Sequence, residues 1–473
     1  MPNRLPLLAA LLLAGCSQQP KYVQPGLPTA PQYPADAWPV TAGPRAPELP
    51  WRGFFRDPRL QALIERALIH NRELRTAVLR IEEARGQYRI RRADRLPTLD
   101  ANAGAARSRT GDGFGGAVTG NRFEIGASVA SFELDFWGRV RSLTESARAN
   151  YLSTIHAQRA FQISLVADVA EAYLTERELD DRIAIAERTV RDRERALEIG
   201  KLRLDAGVTS ALDYRQIETL LTQAQAALAD LQLQRAQNRN ALEFLVGGPV
   251  GAPLPPPLPL ERQGIVETIS AGLPSELLTN RPDILEAEEL LRAAYADVGA
   301  ARAAFFPQIS LTGALGFASG ALGSLFSGGA FTWSLGGNAS LPIFDAGRTR
   351  GNLDVAVARQ GIAVASYERA IQQAFREVAD RLAERRWLAE RLTAQQRELA
   401  AQRDRAELAT LRYQNGVTGY LEVLDAQREL FAAEQQVLAT RREQLTNAVD
   451  LYVALGGGIE GAAPISAPLR APS

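Results

Sequence analysis

The chain has 473 residues, 54 basic and 54 acidic side chains, a formal net charge of zero, two histidines and one cysteine. That balance argues against a nucleic-acid binder, which would carry a basic excess. So few histidines and cysteines also leave little material for a zinc site, a Cys–His nucleophile or a disulfide frame. In chain order, residues 1–15 read as a signal peptide, with Arg4 before an apolar stretch from Leu5 to Leu13 and a cleavage site at Leu13-Ala14-Gly15-Cys16. That tetrapeptide has the pattern of a bacterial lipobox, in which the cysteine is lipidated and becomes the mature N-terminus; an ordinary signal peptide with a chance cysteine is the other reading. Ser17, rather than an aspartate, follows Cys16 and points to the outer membrane. The apolar run is too short to span a bilayer as a helix, and no later stretch reaches that length. Any membrane crossing must therefore use strands.

Residues 16–58 are dense in proline without an apolar period and read as an extended, lipid-anchored leader. From Arg59 the spacing of Leu60, Leu63, Ile64, Ala67 and Leu68 predicts a helix that runs to about Arg95, where Pro97 stops it. Residues 96–135 change to period two: Phe123, Ile125, Ala127 and Val129 alternate with small or polar neighbours, and Gly111 to Gly116 supplies a flexible connection, so the segment reads as a β-hairpin. A coiled coil over 138–246 follows. Its first arm is proline-free from Gly138 to Ala206, and its returning arm carries Ile217, Leu220, Ala224, Leu228 and Leu231 at three–four spacing. Residues 247–264, with Pro255-Pro256-Pro257, read as a linker. The order then recurs over 265–458: a helix, a hairpin at 306–343, and a coiled coil at 347–455 in which Leu424, Phe431, Leu438, Leu445 and Tyr452 return every seven residues. Residues 459–473 are a tail.

The recurrence is also literal. Gly207-Val208-Thr209 and Gly416-Val417-Thr418 are 209 residues apart, as are Asn71-Arg72 and Asn280-Arg281, and Gly138-Arg139 and Gly347-Arg348. Thus 59–246 and 265–458 are two copies of one unit. Each hairpin strand is about the length of a tilted membrane strand, though alternation alone also fits a half-buried soluble sheet. Four strands cannot close a membrane barrel, and an open sheet in lipid leaves edge groups unsatisfied. The chain must then pool strands with copies of itself: two give eight strands and a filled lumen, three give twelve and a passage.

These residues carry a family resemblance across roughly residues 50–458. The tip motifs Arg203-Leu-Asp-Ala-Gly207-Val-Thr and Arg412-Tyr413-Gln-Asn-Gly416-Val-Thr are the most specific; the run Tyr420 to Arg428, the strand-marking Pro97, Pro307 and Pro342, and Phe344-Asp345-Ala346-Gly347-Arg348 fit as well. The chain resembles the TolC-like outer-membrane efflux channels, in their lipoprotein (OprM/NodT-type) branch. The resemblance implies a mainly α chain with a membrane β portion: a homotrimer whose twelve-stranded barrel, four strands per chain, continues as a long α-helical coiled-coil tube. It implies a periplasmic adaptor and an inner-membrane pump as partners, outer-membrane lipid around the barrel, no cofactor beyond the covalent lipid on Cys16, and passive export of drugs or other toxic compounds.

The same resemblance places a periplasmic gate just past the second tip, at Tyr413, Leu421, Glu422 and Asp425, with Asp213 the first-half equivalent of Glu422. Tyr413 is expected to bond to a neighbouring helix. Leu421 and Asp425 are four apart and share a helix face, so a leucine ring can dewet a pore and an aspartate ring can hold cations; ordinary solvated acids are the alternative for Glu422 and Asp425. Thr418 stands where some members carry a basic residue, which argues against a charge-paired latch. Gly207 and Gly416 are expected in left-handed conformation after their helices, with Val208, Thr209, Val417 and Thr418 facing the adaptor. His70 and His156 read as structural, and no nucleotide-binding glycine loop or catalytic constellation is present, so an enzyme is not expected. A lipid-anchored coiled-coil scaffold without a pore, or the outer duct of a protein or peptide secretion system, remains as an alternative function.

Overall fold

A computed structural model of the chain describes residues 18–34, 43–111, 117–250 and 253–458. The signal segment 1–15, Cys16, the glycines 113, 115 and 116 of the first hairpin and the tail 459–473 lie outside the described residues. The main elements are α1 (Pro58–His70), α2 (Arg72–Ala93), β1 (Asp100–Gly111), β2 (Ala117–Leu134), α3 (Arg139–Asp205), α4 (Ala211–Val246), α5 (Pro282–Ala303), β3 (Gln308–Ser319), β4 (Phe331–Ser340), α6 (Arg348–Gln414) and α7 (Tyr420–Ala454). The chain divides into two compact units, one from Met1–Gly26, Leu79–Ile155 and Glu286–Glu368, the other from Leu27–Val78, His156–Leu285 and Arg369–Ser473.

The first unit holds the strands. They form one antiparallel sheet in the order β1-β2-β3-β4, with Ala103 opposite Ile125, Ile125 opposite Phe317, and Leu315 opposite Trp333. The register of β2 on β3 shifts between Val129 and Phe132, a bulge that bends and twists the longer strand. Phe331, Trp333 and Leu335, alternate residues of β4, are all exposed. Among the described residues nothing pairs with the outer edges of β1 and β4. Below the strands, Thr144 of α3 donates to the Arg91 carbonyl of α2 at 3.1 Å, and Tyr88 stacks on Tyr151 at 6.2 Å.

The second unit holds the main core, and the leader from Leu27 onward belongs to it. Residues 43–58 fold onto this unit rather than forming the extended leader that their proline content suggested. Trp51–Phe54 is a helical turn, Phe54 and Phe55 are fully buried, and Phe54 stacks on Tyr452 at 4.0 Å while the Tyr452 hydroxyl donates to the Leu49 carbonyl at 2.5 Å. The segment is further tied to the start of the second repeat by bridges between Arg45 and Ser270 and between Phe55 and Ile265. In the first unit the leader is also held, by Tyr22 donating to Glu288 at 3.0 Å and Gln24 to Tyr367 at 3.1 Å. Burial of the aromatic side chains offsets the entropy of ordering a proline-restricted chain, which is already small.

The single helix expected from Arg59 to Arg95 is two helices broken at Asn71. That residue leaves α1 in extended conformation (ψ 127°). Its side chain accepts from the Leu74 backbone at 2.8 Å, starting α2, and donates to the Leu245 carbonyl at 2.9 Å, tying down the end of α4. The duplication is visible in such contacts. Arg281 donates to the Ala454 carbonyl at 3.1 Å, 209 residues beyond Leu245. Asn238 donates to the Ala172 carbonyl at 2.9 Å, and Asn447 to the Arg381 carbonyl at 3.0 Å, again 209 residues on for both partners. Each repeat carries one 67-residue helix, α3 or α6, about 100 Å of helix at 1.5 Å per residue.

On α3, Glu171 is driven up to about 8 by burial, reinforced by a hydrogen bond to Asp450 and by the charges of Asp450 and Asp168, with Arg381 opposing. A carboxyl raised in the folded state favours folding when protonated. Its contribution is complete below its ordinary value of 4.5 and is lost as pH rises through about 8. Glu171→Gln is therefore expected to raise stability at pH above 8 and to flatten the decline between neutral and alkaline pH in thermal unfolding. An unchanged slope would exclude the raised value.

Candidate functional site

The two helical turns come from one local code. At the first, the Val208 amide donates to the Arg203 carbonyl at 2.8 Å and the Gly207 amide to the Leu204 carbonyl at 2.9 Å. At the second, Val417 donates to Arg412 at 2.9 Å and Gly416 to Tyr413 at 3.0 Å. This is the Schellman arrangement, and it needs the positive φ of +71° that both Gly207 and Gly416 adopt. The turn leaves Val208 and Val417 exposed at the ends of their hairpins, with Thr209 and Thr418 half-buried beside them.

The returning helices start differently. Ser210 caps α4 by accepting from the Asp213 amide at 3.0 Å, while Asp213 accepts from the Ser210 amide at 3.3 Å, from its hydroxyl at 2.8 Å and from Thr209 at 3.1 Å. The Ser210 hydroxyl bond, then its amide, hold the Asp213 carboxyl below its ordinary 3.8. Asp213, read as a gate residue, thus spends its carboxylate on its own helix start. Because its value is depressed, that contribution is present above pH 3.8 and disappears as pH falls below it. Ser210→Ala should cost the start of α4 about 1 kcal/mol, measured as faster amide exchange over its first turn. Exchange equal to that of the parent chain would rule the box out as a stabiliser.

In the second repeat Gly419 occupies the cap position and supplies no side-chain bond. Ion pairs take over. Glu422 accepts from Thr418 at 2.5 Å and pairs with Arg412 at 3.1 Å. Asp425 pairs with Arg405 across the hairpin and with Arg428 at 2.9 Å on its own helix. Charge-paired contacts are present at this tip. Their basic members sit on α6 and on α7 itself, not beside the tip glycine. Tyr413 accepts from Arg203 of α3, with the guanidinium 5.2 Å over its ring, and packs edge-on against Tyr420 at 4.9 Å. Leu421 stays 64% exposed, one residue before Glu422 and four before Asp425. Beneath these groups, Ala406, Ala409, Val423 and Ala426 are buried between α6 and α7.

Tyr413, Glu422 and Asp425 thus all engage guanidinium groups close to the second turn, Asp213 is engaged at the first turn, and Leu421 has an open face. The acids alone did not reveal Arg405. Its signal was the repeat itself: 209 residues earlier stands Ala196, and opposite it Gln216 in place of Asp425.

Known proteins share both the sequence and the architecture. The outer membrane efflux protein model matches residues 63–248 and 273–457. The solvent efflux pump outer membrane protein SrpC of Pseudomonas putida is 43% identical over 466 residues, spanning 96% of this chain and 98% of that one. The cation efflux system protein CusC of Escherichia coli K12 is 41% identical over 455 residues, 96% of this chain and 99% of its own. Among solved structures, the open state of the Neisseria gonorrhoeae MtrE outer membrane channel superposes with a TM-score of 0.86 at 41% identity, covering 94% of this chain and 99% of that one. Two matched repeats, a four-stranded antiparallel sheet and paired long helices place this chain in the outer membrane efflux protein family, as a channel protein of the outer membrane.

Proposed function

We propose that three copies of this chain, each lipid-anchored through Cys16, close one twelve-stranded barrel and a helical tube, and that the tube receives drugs or other toxic compounds from a periplasmic adaptor and an inner-membrane pump. The carrying observation is the four-stranded sheet whose two outer edges have no partner among the described residues. Such edges are costly in lipid and are satisfied when β4 of one copy pairs with β1 of the next. Val208, Thr209, Val417 and Thr418 are the surface offered to the adaptor. Leu421 and the paired Glu422 and Asp425 form the constriction that keeps the resting tube narrow. Relatives named for a solvent pump and for a cation system are similar to this chain at 43% and 41% identity, which supports a duct whose cargo is chosen by the pump rather than by its wall.

Reconstitution of the purified protein in planar bilayers tests the reading. Discrete conductance steps are expected; a pore-less scaffold gives none. Deleting the gene and measuring retention of solvents, metal ions and antibiotics identifies the cargo, and retention unchanged for every one of them removes the efflux role.

A further inference from the structure

One guanidinium of α3 is buried without a counter-charge. Arg193 is 6% exposed. Its Nη1 donates to the Leu220 carbonyl of α4 at 2.6 Å, and its Nε–H has no acceptor among the described residues. The guanidinium carbon lies 5.9 Å from the ring centre of Phe431 on α7. Among the described residues no carboxylate pairs with it. Burial pushes the group below its ordinary range, with the Tyr420 hydroxyl opposing. An arginine nevertheless stays charged, and a buried charge is costly unless an opposite charge or enough hydrogen-bond acceptors meet it.

Arg193 lines a cleft of about 520 Å³ between α3 and the second hairpin, α6 and α7. Ile185, Leu430 and Phe431 give it an apolar wall. Two of its acids are engaged elsewhere: Glu434 pairs with Arg403 at 3.5 Å, and Asp192 with Arg195 at 3.9 Å. The exposed Glu407 is balanced by the exposed Arg188, which leaves Arg193 as the surplus charge. An apolar wall beside a few placed polar groups, at this volume, is the make-up of a small-molecule site. The architecture does not itself demand the charge. The repeat equivalent of Arg193, 209 residues on, is the half-buried Gln402, and that of Phe431, 209 residues back, is Thr222. The other repeat thus carries neither the guanidinium nor the ring.

We propose that this cleft binds a small organic anion, a carboxylate on an aromatic or aliphatic body, with the carboxylate accepting from the Nε–H of Arg193 and the body against Phe431 and Leu430. The planar guanidinium suits a carboxylate, and its charge discriminates against neutral compounds. The apolar wall discriminates against bare inorganic ions, which gain nothing from covering it. Because Arg193 belongs to the first hairpin and Phe431 to the second, the occupant touches both and stabilises the arrangement in which they lie together. The site is complete within one chain, so the inference does not depend on the number of copies in the channel.

The test titrates the full-length, detergent-solubilised protein with sodium benzoate, with sodium acetate and benzyl alcohol as partners that lack the ring or the charge. Binding is read by saturation-transfer NMR on the ligand and by the thermal unfolding midpoint. Benzoate is expected to give saturable transfer and a saturable rise in the midpoint, and the other two neither. Arg193→Gln, which installs the residue of the other repeat, should weaken benzoate by about tenfold or more. Glu407→Gln removes the opposing exposed acid and should tighten it about twofold; being at the surface, this variant decides the matter if the Arg193 variant does not fold. No saturable benzoate binding overturns the proposal, and so does an equal response to acetate, which marks a salt effect. An equal response to benzyl alcohol shows an apolar cleft that ignores the charge and overturns it as well. Parent-like affinity in a folded Arg193→Gln, or in Glu407→Gln, places the anion elsewhere and has the same consequence.

Discussion

Replacing Leu421 and Asp425 together by alanine is expected to raise single-channel conductance several-fold in planar bilayers and to admit bulky hydrophilic antibiotics into cells producing the variant. Two effects combine. An exposed leucine repeated around a narrow ring disfavours water in the constriction, and alanine removes most of that apolar bulk. Asp425 is the acid that Arg405 reaches across the hairpin, so its loss also removes one tie between α7 and α6 at the tip. The pair is half-exposed, worth about 1 kcal/mol or less per chain. A gate that opens during each transport cycle needs a fastening of that size, since a stronger one would have to be broken by the adaptor. Such pairs are screened by salt, with a Debye length of about 8 Å at physiological ionic strength. Parent-channel conductance should therefore rise more steeply with salt than bulk conductivity does, and the variant's should follow bulk conductivity. A double variant that conducts like the parent would mean that the constriction lies elsewhere.

The Asp425 carboxylate is ion-paired within its own chain. Two guanidinium groups surround it, Arg405 and Arg428 at 2.9 Å, so its charge is spent within its own chain. Selectivity for cations at this level would need the pairs to open first. Arg405→Ala separates the two roles: loosening alone raises conductance, whereas an unmasked aspartate ring raises cation preference with it.

Much of this was legible in the sequence because it depends on local rules. Period two marked the strands, and Gly-Val-Thr marked both hairpin ends because one positive-φ residue fixes the whole turn. The break at Asn71 was hidden, since Leu60, Leu63, Ile64, Leu74 and Ile81 keep helical spacing across it and only a carbonyl of α4, some 170 residues on, explains why the side chain is needed there. Trp51, Phe54 and Phe55 were hidden for another reason. Aromatic residues among prolines show no period, and Phe54 and Phe55 pack on Tyr452 at the far end of the chain. Arg405 became visible only by comparing the repeats, because an ion pair between antiparallel helices is set by the turn and not by spacing along either helix.

Gly247→Ala and Gly456→Ala should each destabilise the protein by roughly 3–5 kcal/mol, while Gly416→Ala should cost only about 1–2 kcal/mol. All three glycines have positive φ, at +80°, +82° and +71°, so each alanine carries similar backbone strain. What differs is the surroundings. A Cβ at position 416 meets nothing within 4 Å. At 247 it would lie 2.4 Å from the His70 carbonyl oxygen, and at 456 it would lie 2.5 Å from that of Asn280. Those carbonyls mark the breaks where α1 and its repeat counterpart end, beside the bonds from Asn71 to Leu245 and from Arg281 to Ala454. Backbone cannot rotate aside as a side chain can. Making room therefore pulls α4 or α7 away from its anchor and strands a buried carbonyl. Thermal unfolding of the detergent-solubilised protein, followed by helical circular dichroism, reads the difference. Equal losses for all three variants would mean that φ strain alone governs these glycines. The expected split instead assigns them two tasks: Gly416 shapes an exposed turn, and Gly247 and Gly456 let the returning helices close against the start of each repeat.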